Sequence, residues 1–127
     1  MNSQIALDLL NNSKGLAEDD NWIIHSICVG NTATVIAKAL HLDEDKAKTL
    51  GYIHDIGKRF GFGASHGLAG YEYILSLGYN EEYANVCLTH SYLNNDINCI
   101  AGGIPNPGSP KYEWKKEFIK KSQVYNI

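Results

Sequence analysis

The sequence predicts an all-α protein, a single compact bundle of about five or six helices that spans residues 1–127. Three observations predict this fold class. Apolar residues recur three and four positions apart through most of the chain, which is the spacing of one face of a helix. No pair of segments shows the alternating pattern of a β-hairpin. Capping residues and glycines divide the chain into segments of helical length.

The predicted helix boundaries follow from these capping residues. Ser, Asp and Asn side chains accept hydrogen bonds from the first backbone amides of a helix, and proline suits its first position. The predicted starts are Ser3, Asn21, Asp43, Ser65, Asn80 and Ser109-Pro110. The predicted ends of the first four helices lie near Gly15, Leu40, Gly57 and Gly78. Residues 92–110 are rich in Gly, Pro and Asn and are predicted to form a long connection.

The composition limits the class of function. Eleven basic and fourteen acidic residues give a net charge of −3, whereas a general nucleic-acid binder would show a basic excess, so we expect no nucleic-acid polymer as a partner. Two of the three cysteines, Cys28 and Cys87, lie in apolar helical patterns without CxxC spacing, so we expect reduced core residues. Because no leader and no run of roughly 20 apolar residues is present, we expect a cytoplasmic protein without membrane contact.

Four of the five histidines fall on the apolar stripes of four different predicted helices. They are His25, His54, His66 and His90. His25, for example, shares helical spacing with Val29, Ala33 and Ile36 on the second predicted helix. The fifth histidine, His41, lies just past the end of that helix and has no predicted partner.

Two explanations for this pattern are open from the residues alone. Each imidazole can have its own hydrogen-bond acceptor in the core, as buried histidines usually do. Alternatively, the four imidazoles share a divalent cation, for which neutral imidazole nitrogens and carboxylates are natural ligands. Asp55 adds a carboxylate directly after His54, and Gly57 would let the backbone turn so that both side chains reach one ion. Such nitrogen and oxygen ligands are compatible with iron, manganese, zinc, nickel, cobalt or magnesium.

The residues around this dyad resemble a known family. His25, the string "HDIG" at 54–57, and the later His66 and His90 occur in the order that is typical of the HD superfamily of metal-dependent phosphohydrolases. The segments "IIHSICVGNTATVIAKAL" and "AKTLGYIHDIGKRFG" look like the start of such a domain. The resemblance covers roughly residues 20–95 and implies an HD-domain-like helical bundle.

The resemblance also implies a ligand set and a reaction. His25, His54 and Asp55 would hold one metal ion. A second ion, bridged by Asp55, would be held by His66 and His90, so that the chain binds one or two divalent ions. The implied activity is hydrolysis of a small phosphate ester, a nucleotide or dinucleotide, by attack of a metal-activated hydroxide on phosphorus. An oligomer is compatible with this reading.

Two catalytic residues are expected from the same resemblance, Asp55 and Lys58. Lys58 follows the dyad at a position where the family often places a cation near the substrate phosphate, and Arg59 is a second candidate. The alternative for both basic residues is that they complement the dipole at the end of a helix. The string "GYP" that marks the cyclic dinucleotide phosphodiesterases is absent, which disfavours that subgroup.

One part of the family pattern has no clear match. The pattern closes with an aspartate on a helix after the last histidine, and here only Asp96 follows His90, while Glu113 and Glu117 lie on the last predicted helix. We expect that the closing aspartate lies on a segment beyond the residues given. Another acid, a water or a partner chain is the second explanation. The third is a degenerate site, in which case the protein is a non-catalytic HD-fold binding module.

Overall fold

Helices form the architecture in the part of the chain that the computed structural model describes, which is residues 1–63, 66–90, 106–110, 112–114 and 116. Five α-helices and one 3-10 helix follow in order. They are α1 (Ser3–Asn11), α2 (Asn21–Ala39), α3 (Glu44–Ile53), the 3-10 helix (Ile56–Phe60), α4 (His66–Ser76) and α5 (Glu81–Thr89). Residues 110, 112–114 and 116 are also helical, and these described ranges contain no strand. The predicted all-α fold class is confirmed.

The helix starts agree with the capping pattern at Asp43, Asn80 and Ser109, whose hydroxyl accepts from the Tyr112 amide at 3.2 Å, and differ at Ser3. Helix α2 begins at Asn21, as predicted. The Asp43 side chain accepts a hydrogen bond at the start of α3, and that of Asn80 does so at the start of α5, as predicted. At α1 the cap is Asn2, whose side chain accepts from the Ile5 amide at 2.9 Å. Ser3 is instead the first helical residue. The predicted cap Ser65 lies outside the described residues.

The predicted end of α3 was wrong, and the observed end places His54 and Asp55 in a turn. The helix ends at Ile53 rather than near Gly57, and a turn at residues 54 and 55 leads into the 3-10 helix. Gly57 lies within that 3-10 helix and has no positive φ. A Cβ at this position would overlap the carbonyl oxygen of His66 and lie 2.6 Å from the amide nitrogen of Gly70. Gly57 therefore permits close backbone packing against α4 and does not reverse the chain.

The core lies around α3, which packs against α1, α2 and α5, while α4 packs against α5 and the 3-10 helix. Ile53 and Ile56, on either side of the turn that follows α3, are completely buried. Helices α2 and α3 cross at glycines, because a Cβ on Gly51 would lie only 2.6 Å from the Cα of Gly30. This close crossing brings the first turns of α2 near the end of α3. None of the described helices is both long enough and apolar enough to cross a membrane.

Helix α2 has the predicted period but is rotated from the predicted face. Its fully buried residues follow a stripe of mostly small side chains, Trp22, Ile23, Ser26, Gly30, Ala33 and Ala37. The Ser26 hydroxyl is satisfied by donating to the Trp22 carbonyl at 2.8 Å. Ile36, predicted to be buried, is 48 % exposed, and Cys28 is exposed, while Cys87 is a buried free thiol as predicted. His25 therefore lies at the edge of the core rather than inside it.

Candidate metal centre

The fold brings the five predicted ligand residues together from four places in the chain. His25 lies in the first turns of α2, and His54 and Asp55 form the turn after α3. His66 is the first residue of α4, and His90 is the residue that ends α5. Because α2 crosses α3 closely and α4 packs on the 3-10 helix, all four histidines surround the carboxylate of Asp55.

The two carboxylate oxygens of Asp55 face different pairs of imidazoles. Oδ2 lies 3.3 Å from Nε2 of His54 and 3.7 Å from Nε2 of His25. Oδ1 lies 3.1 Å from Nε2 of His66 and 3.2 Å from Nε2 of His90. In each of these two groups the three ligand atoms lie within 4.8 Å of one another, so each group could hold a metal ion.

Backbone carbonyls determine which ring nitrogen faces the carboxylate in three of the histidines. Nδ1 of His54 lies 2.6 Å from the Gly51 oxygen, and Nδ1 of His66 lies 2.5 Å from the Gly63 oxygen. Nδ1 of His90 likewise lies 3.0 Å from the carbonyl oxygen four residues earlier. A carbonyl oxygen only accepts hydrogen bonds, so each Nδ1 carries the proton and donates it. In the neutral imidazole, Nε2 is then left as a lone-pair acceptor.

This arrangement concentrates acceptors at one point. The Nε2 atoms of His66 and His90 lie 3.4 Å apart, and both face the acceptor oxygen Oδ1 of Asp55. Three lone-pair acceptors at hydrogen-bond distance repel one another unless a proton or a cation lies among them. The residues therefore fit a divalent cation, with neutral imidazole and carboxylate ligands and backbone carbonyls that orient the rings. The core-histidine alternative explains the Nδ1 contacts, but it requires protons on the converging Nε2 atoms, so that charged imidazoles lie beside one another.

The pKa values of Asp55, His66 and His25 are shifted by these close contacts. Asp55 is only 3 % exposed, and burial by itself would raise its pKa. Without a cation, protons on the Nε2 atoms of His54, His66 and His90 fill this place, and the hydrogen bonds that they donate outweigh burial and hold the pKa of the Asp55 carboxyl well below its usual range. The hydrogen bond to Asp55 raises the pKa of His66, whereas burial and the neighbouring His54 lower the pKa of His25.

The two basic residues after the dyad point in different directions. The Lys58 ammonium lies 3.1 Å from Oδ2 of Asp55, on a side chain that is 27 % exposed. The Arg59 guanidinium instead donates to the Tyr73 hydroxyl and lies 4.4 Å from the centre of that ring. Arg59 is therefore a packing residue, and only Lys58 is placed at the candidate centre.

The remaining predicted candidates lie elsewhere or outside the described residues. His41 has a φ of 56°, follows the end of α2 and is exposed, so it belongs to the helix terminus. Glu113 is exposed. Asp96 and Glu117, the other acidic candidates for the closing ligand, lie outside the described residues.

The carbonyl acceptors were missed by sequence reasoning, although a spacing signal exists. Each bonded carbonyl belongs to the residue three or four positions before its histidine, and these residues are Gly51, Gly63 and Val86. Gly51 and Val86 lie in the last turns of α3 and α5, and Gly63 lies just before α4. The carbonyls of Gly63 and Val86 also accept the backbone amide of the same histidine.

The fold and the candidate centre together define a class of protein, an all-helical domain whose histidines and one aspartate are suited to divalent metal ions. Residues 22–118 match the family described as the HD domain. Since the match covers most of the chain, the protein belongs to the HD domain family. The predicted resemblance is confirmed.

A curated relative supports this assignment. The chain is 37 % identical over 67 residues to ribonuclease Y of Protochlamydia amoebophila (strain UWE25). The aligned part is 51 % of this chain and 13 % of the relative, so the chain spans only a small part of that protein's length. No solved structure matches the chain significantly.

Proposed function

We propose that this protein is a metal-dependent phosphohydrolase that acts on a small phosphate ester, a nucleotide or dinucleotide. The observation that carries the proposal is the convergence of four Nε2 atoms on the two oxygens of the buried Asp55 carboxylate. Membership of the HD domain family supports it, because that family is generally hydrolase-like and binds divalent metals.

Each half of the centre has a proposed role. His25, His54 and Asp55 would hold one divalent ion. His66, His90 and Asp55 would hold a second. Divalent ions bound by these residues supply Lewis acidity, which lowers the pKa of water and withdraws charge from phosphoryl oxygens. Asp55 joins the two halves with a single carboxylate, and its low pKa keeps that carboxylate ionised over the whole physiological range.

Lys58 is the proposed phosphate-binding residue. Its ammonium is at the centre and its side chain is partly exposed, so it can contact an anion that enters from solvent. A phosphate ester carries the complementary negative charge, and three ammonium protons can orient its oxygens.

Two kinds of substrate are compatible with this activity, a small phosphate ester and an RNA. The relative is, by its name, a ribonuclease, which makes an RNA phosphodiester the competing substrate. The net charge of −3 favours a small soluble ester, because RNA binding depends on neutralising many phosphates. A small-molecule partner, a cytoplasmic location and the absence of a nucleic-acid polymer stay predictions.

The test combines elemental analysis with a substrate panel of nucleoside monophosphates, dinucleoside polyphosphates and a short oligoribonucleotide. Wild type should contain one or two divalent ions per chain and hydrolyse at least one small ester. Asp55→Asn should lose both properties and stay folded, because the asparagine amide can donate to the Nε2 acceptors. His41→Gly is the matched control and should keep metal and turnover, because His41 is at the end of α2.

Each alternative outcome has a distinct meaning. Hydrolysis of the oligoribonucleotide alone would replace the proposed substrate class. Bound metal without turnover of any ester would identify a binding module. Turnover at the wild-type rate in Asp55→Asn would contradict the mechanism.

A further inference from the structure

The two sides of the Asp55 carboxylate differ in their neighbours. Oδ1 faces only the imidazoles of His66 and His90 among the described residues. Oδ2 faces two imidazoles and also the Lys58 ammonium, which at 3.1 Å is nearer to it than either ring nitrogen. The Lys58 ammonium places a positive charge beside Oδ2, and no lysine or arginine among the described residues does so at Oδ1.

The two sides also differ in how firmly their ligands are oriented. Both rings at Oδ1 are held by hydrogen bonds from Nδ1 to backbone carbonyls, and both side chains are less than one-fifth exposed. At Oδ2 the ring of His54 is held in the same way. The His25 side chain is 54 % exposed, and within the described part of the chain no hydrogen bond holds its Nδ1. A ligand set that is already oriented loses less conformational entropy when it binds an ion.

From these differences we infer that the two metal positions are unequal, and that Lys58 competes with the ion at Oδ2. An ion at Oδ1 meets two oriented nitrogens and a carboxylate oxygen that no ammonium of the described residues contacts. An ion at Oδ2 shares that oxygen with the Lys58 ammonium, and two cations at such short range repel strongly. The position at Oδ1 therefore binds more tightly, and Lys58 has to move outward before the position at Oδ2 is filled. This inference rests on the proposed metal centre.

The competition couples the second ion to the substrate. Lys58 lies on a short 3-10 helix with a partly exposed side chain, so the ammonium can leave Oδ2 without unfolding an element. An anionic phosphate that binds the displaced ammonium stabilises the arrangement in which Oδ2 is free for an ion. By thermodynamic linkage, binding of the ion at Oδ2 raises the affinity for phosphate, and binding of phosphate raises the affinity for that ion. Lys58 is the residue that couples the two.

The inference is tested by titrating the protein with Mn²⁺ and measuring free Mn²⁺ by its electron paramagnetic resonance signal. Wild type should show one tight and one weak class of site. Lys58→Met should tighten the weak class by about tenfold or more and tighten the tight class by less, because the removed positive charge contacts Oδ2 and lies farther from Oδ1. Lys58→Arg, which keeps the charge, should retain the weak class.

Two further sets of variants complete the design. Lys38→Met is the matched control for lost charge: Lys38 lies on the same helix as His25, about 20 Å along its axis at 1.5 Å per residue, and should leave both classes unchanged. His66→Ala should remove the tight class, and His25→Ala should remove the weak one.

The outcomes separate this inference from the proposed function. Two equal classes, an unchanged weak class in Lys58→Met, or loss of the tight class in His25→Ala would overturn the inequality while leaving the metal centre in place. Wild type that binds no Mn²⁺ and contains no other divalent ion would overturn the metal centre and, with it, the proposed function.

Discussion

At the scale of single residues, Asp55 is the side chain on which the site depends. It is buried, ionised, and within 3.7 Å of four imidazole nitrogens and one ammonium. A buried charge is costly unless it is paired, and each of its oxygens is paired by groups from different helices. One carboxylate thus fixes the relative positions of four separately placed histidines.

His41 illustrates a residue whose role is conformational. It occupies the left-handed region at φ 56°, and its amide donates to the Lys38 carbonyl, while the Leu42 amide donates to that of Ala37. These paired bonds form a Schellman motif, in which glycine is the favoured residue at the left-handed position. The sequence pattern left this histidine without a role because histidine is not the usual signal for a helix end.

We predict that His41→Gly raises the free energy of unfolding by about 1 kcal/mol, because it removes the side-chain strain of the left-handed conformation. Urea unfolding measures the change. Metal content should equal that of wild type, since His41 lies outside both candidate ligand groups. A destabilised variant would show that the His41 side chain makes a favourable contact larger than this strain.

At the scale of elements, the packing of α4 on the 3-10 helix positions His66. Backbone atoms of α4 pass so close to Gly57 that no side chain fits there. Since His66 begins α4 and contributes one side of the candidate centre, this contact couples backbone packing to ligand geometry.

We predict that Gly57→Ala lowers the free energy of unfolding by about 3 kcal/mol, because the added methyl group meets backbone atoms that cannot rotate away. It should also weaken metal binding, since α4 and His66 are displaced together. Chemical unfolding and Mn²⁺ titration are the two measurements.

Gly78→Ala is the control for this element. Gly78 has a φ of 89°, but a Cβ added there would meet no atom within 4 Å, so alanine should cost only about 1 kcal/mol of backbone strain and leave metal affinity unchanged. Equal losses of metal affinity in the two variants would show that general destabilisation, rather than displacement of His66, is responsible.

At the scale of the whole molecule, the candidate centre lies where two groups of helices meet at the edge of one shared core. Helix α2 packs mainly on α3, and α4 packs mainly on α5 and the 3-10 helix. His25 comes from the first of these units and His66 and His90 from the second, and all of them meet at Asp55. Ions bound there would link the two units.

We predict that divalent metal stabilises the whole fold. At a free concentration one hundred times the dissociation constant, each occupied position should add about 2.7 kcal/mol to the free energy of unfolding. Thermal unfolding with Mn²⁺ and with a chelator measures the difference. Asp55→Asn should show no such difference, and a full shift in that variant would place the bound ions elsewhere.

The sequence by itself determined that the protein is helical and that caps at Asp43 and Asn80 begin two of the helices. These follow from local rules, since helical spacing and capping chemistry act within a few residues. The sequence also contained the HD family pattern, which the match over residues 22–118 confirms, and that resemblance, rather than spacing, identified the five residues that meet at the centre.

Only the tertiary structure decided the rest. Helical periodicity specifies which residues share a face but not which face is buried, and on α2 the close crossing at Gly30 selected a face of small residues. That rotation left His25 half exposed at the edge of the core. The division of the Asp55 oxygens and the competition by Lys58 depend on distances between separate elements, which no spacing along the chain can specify.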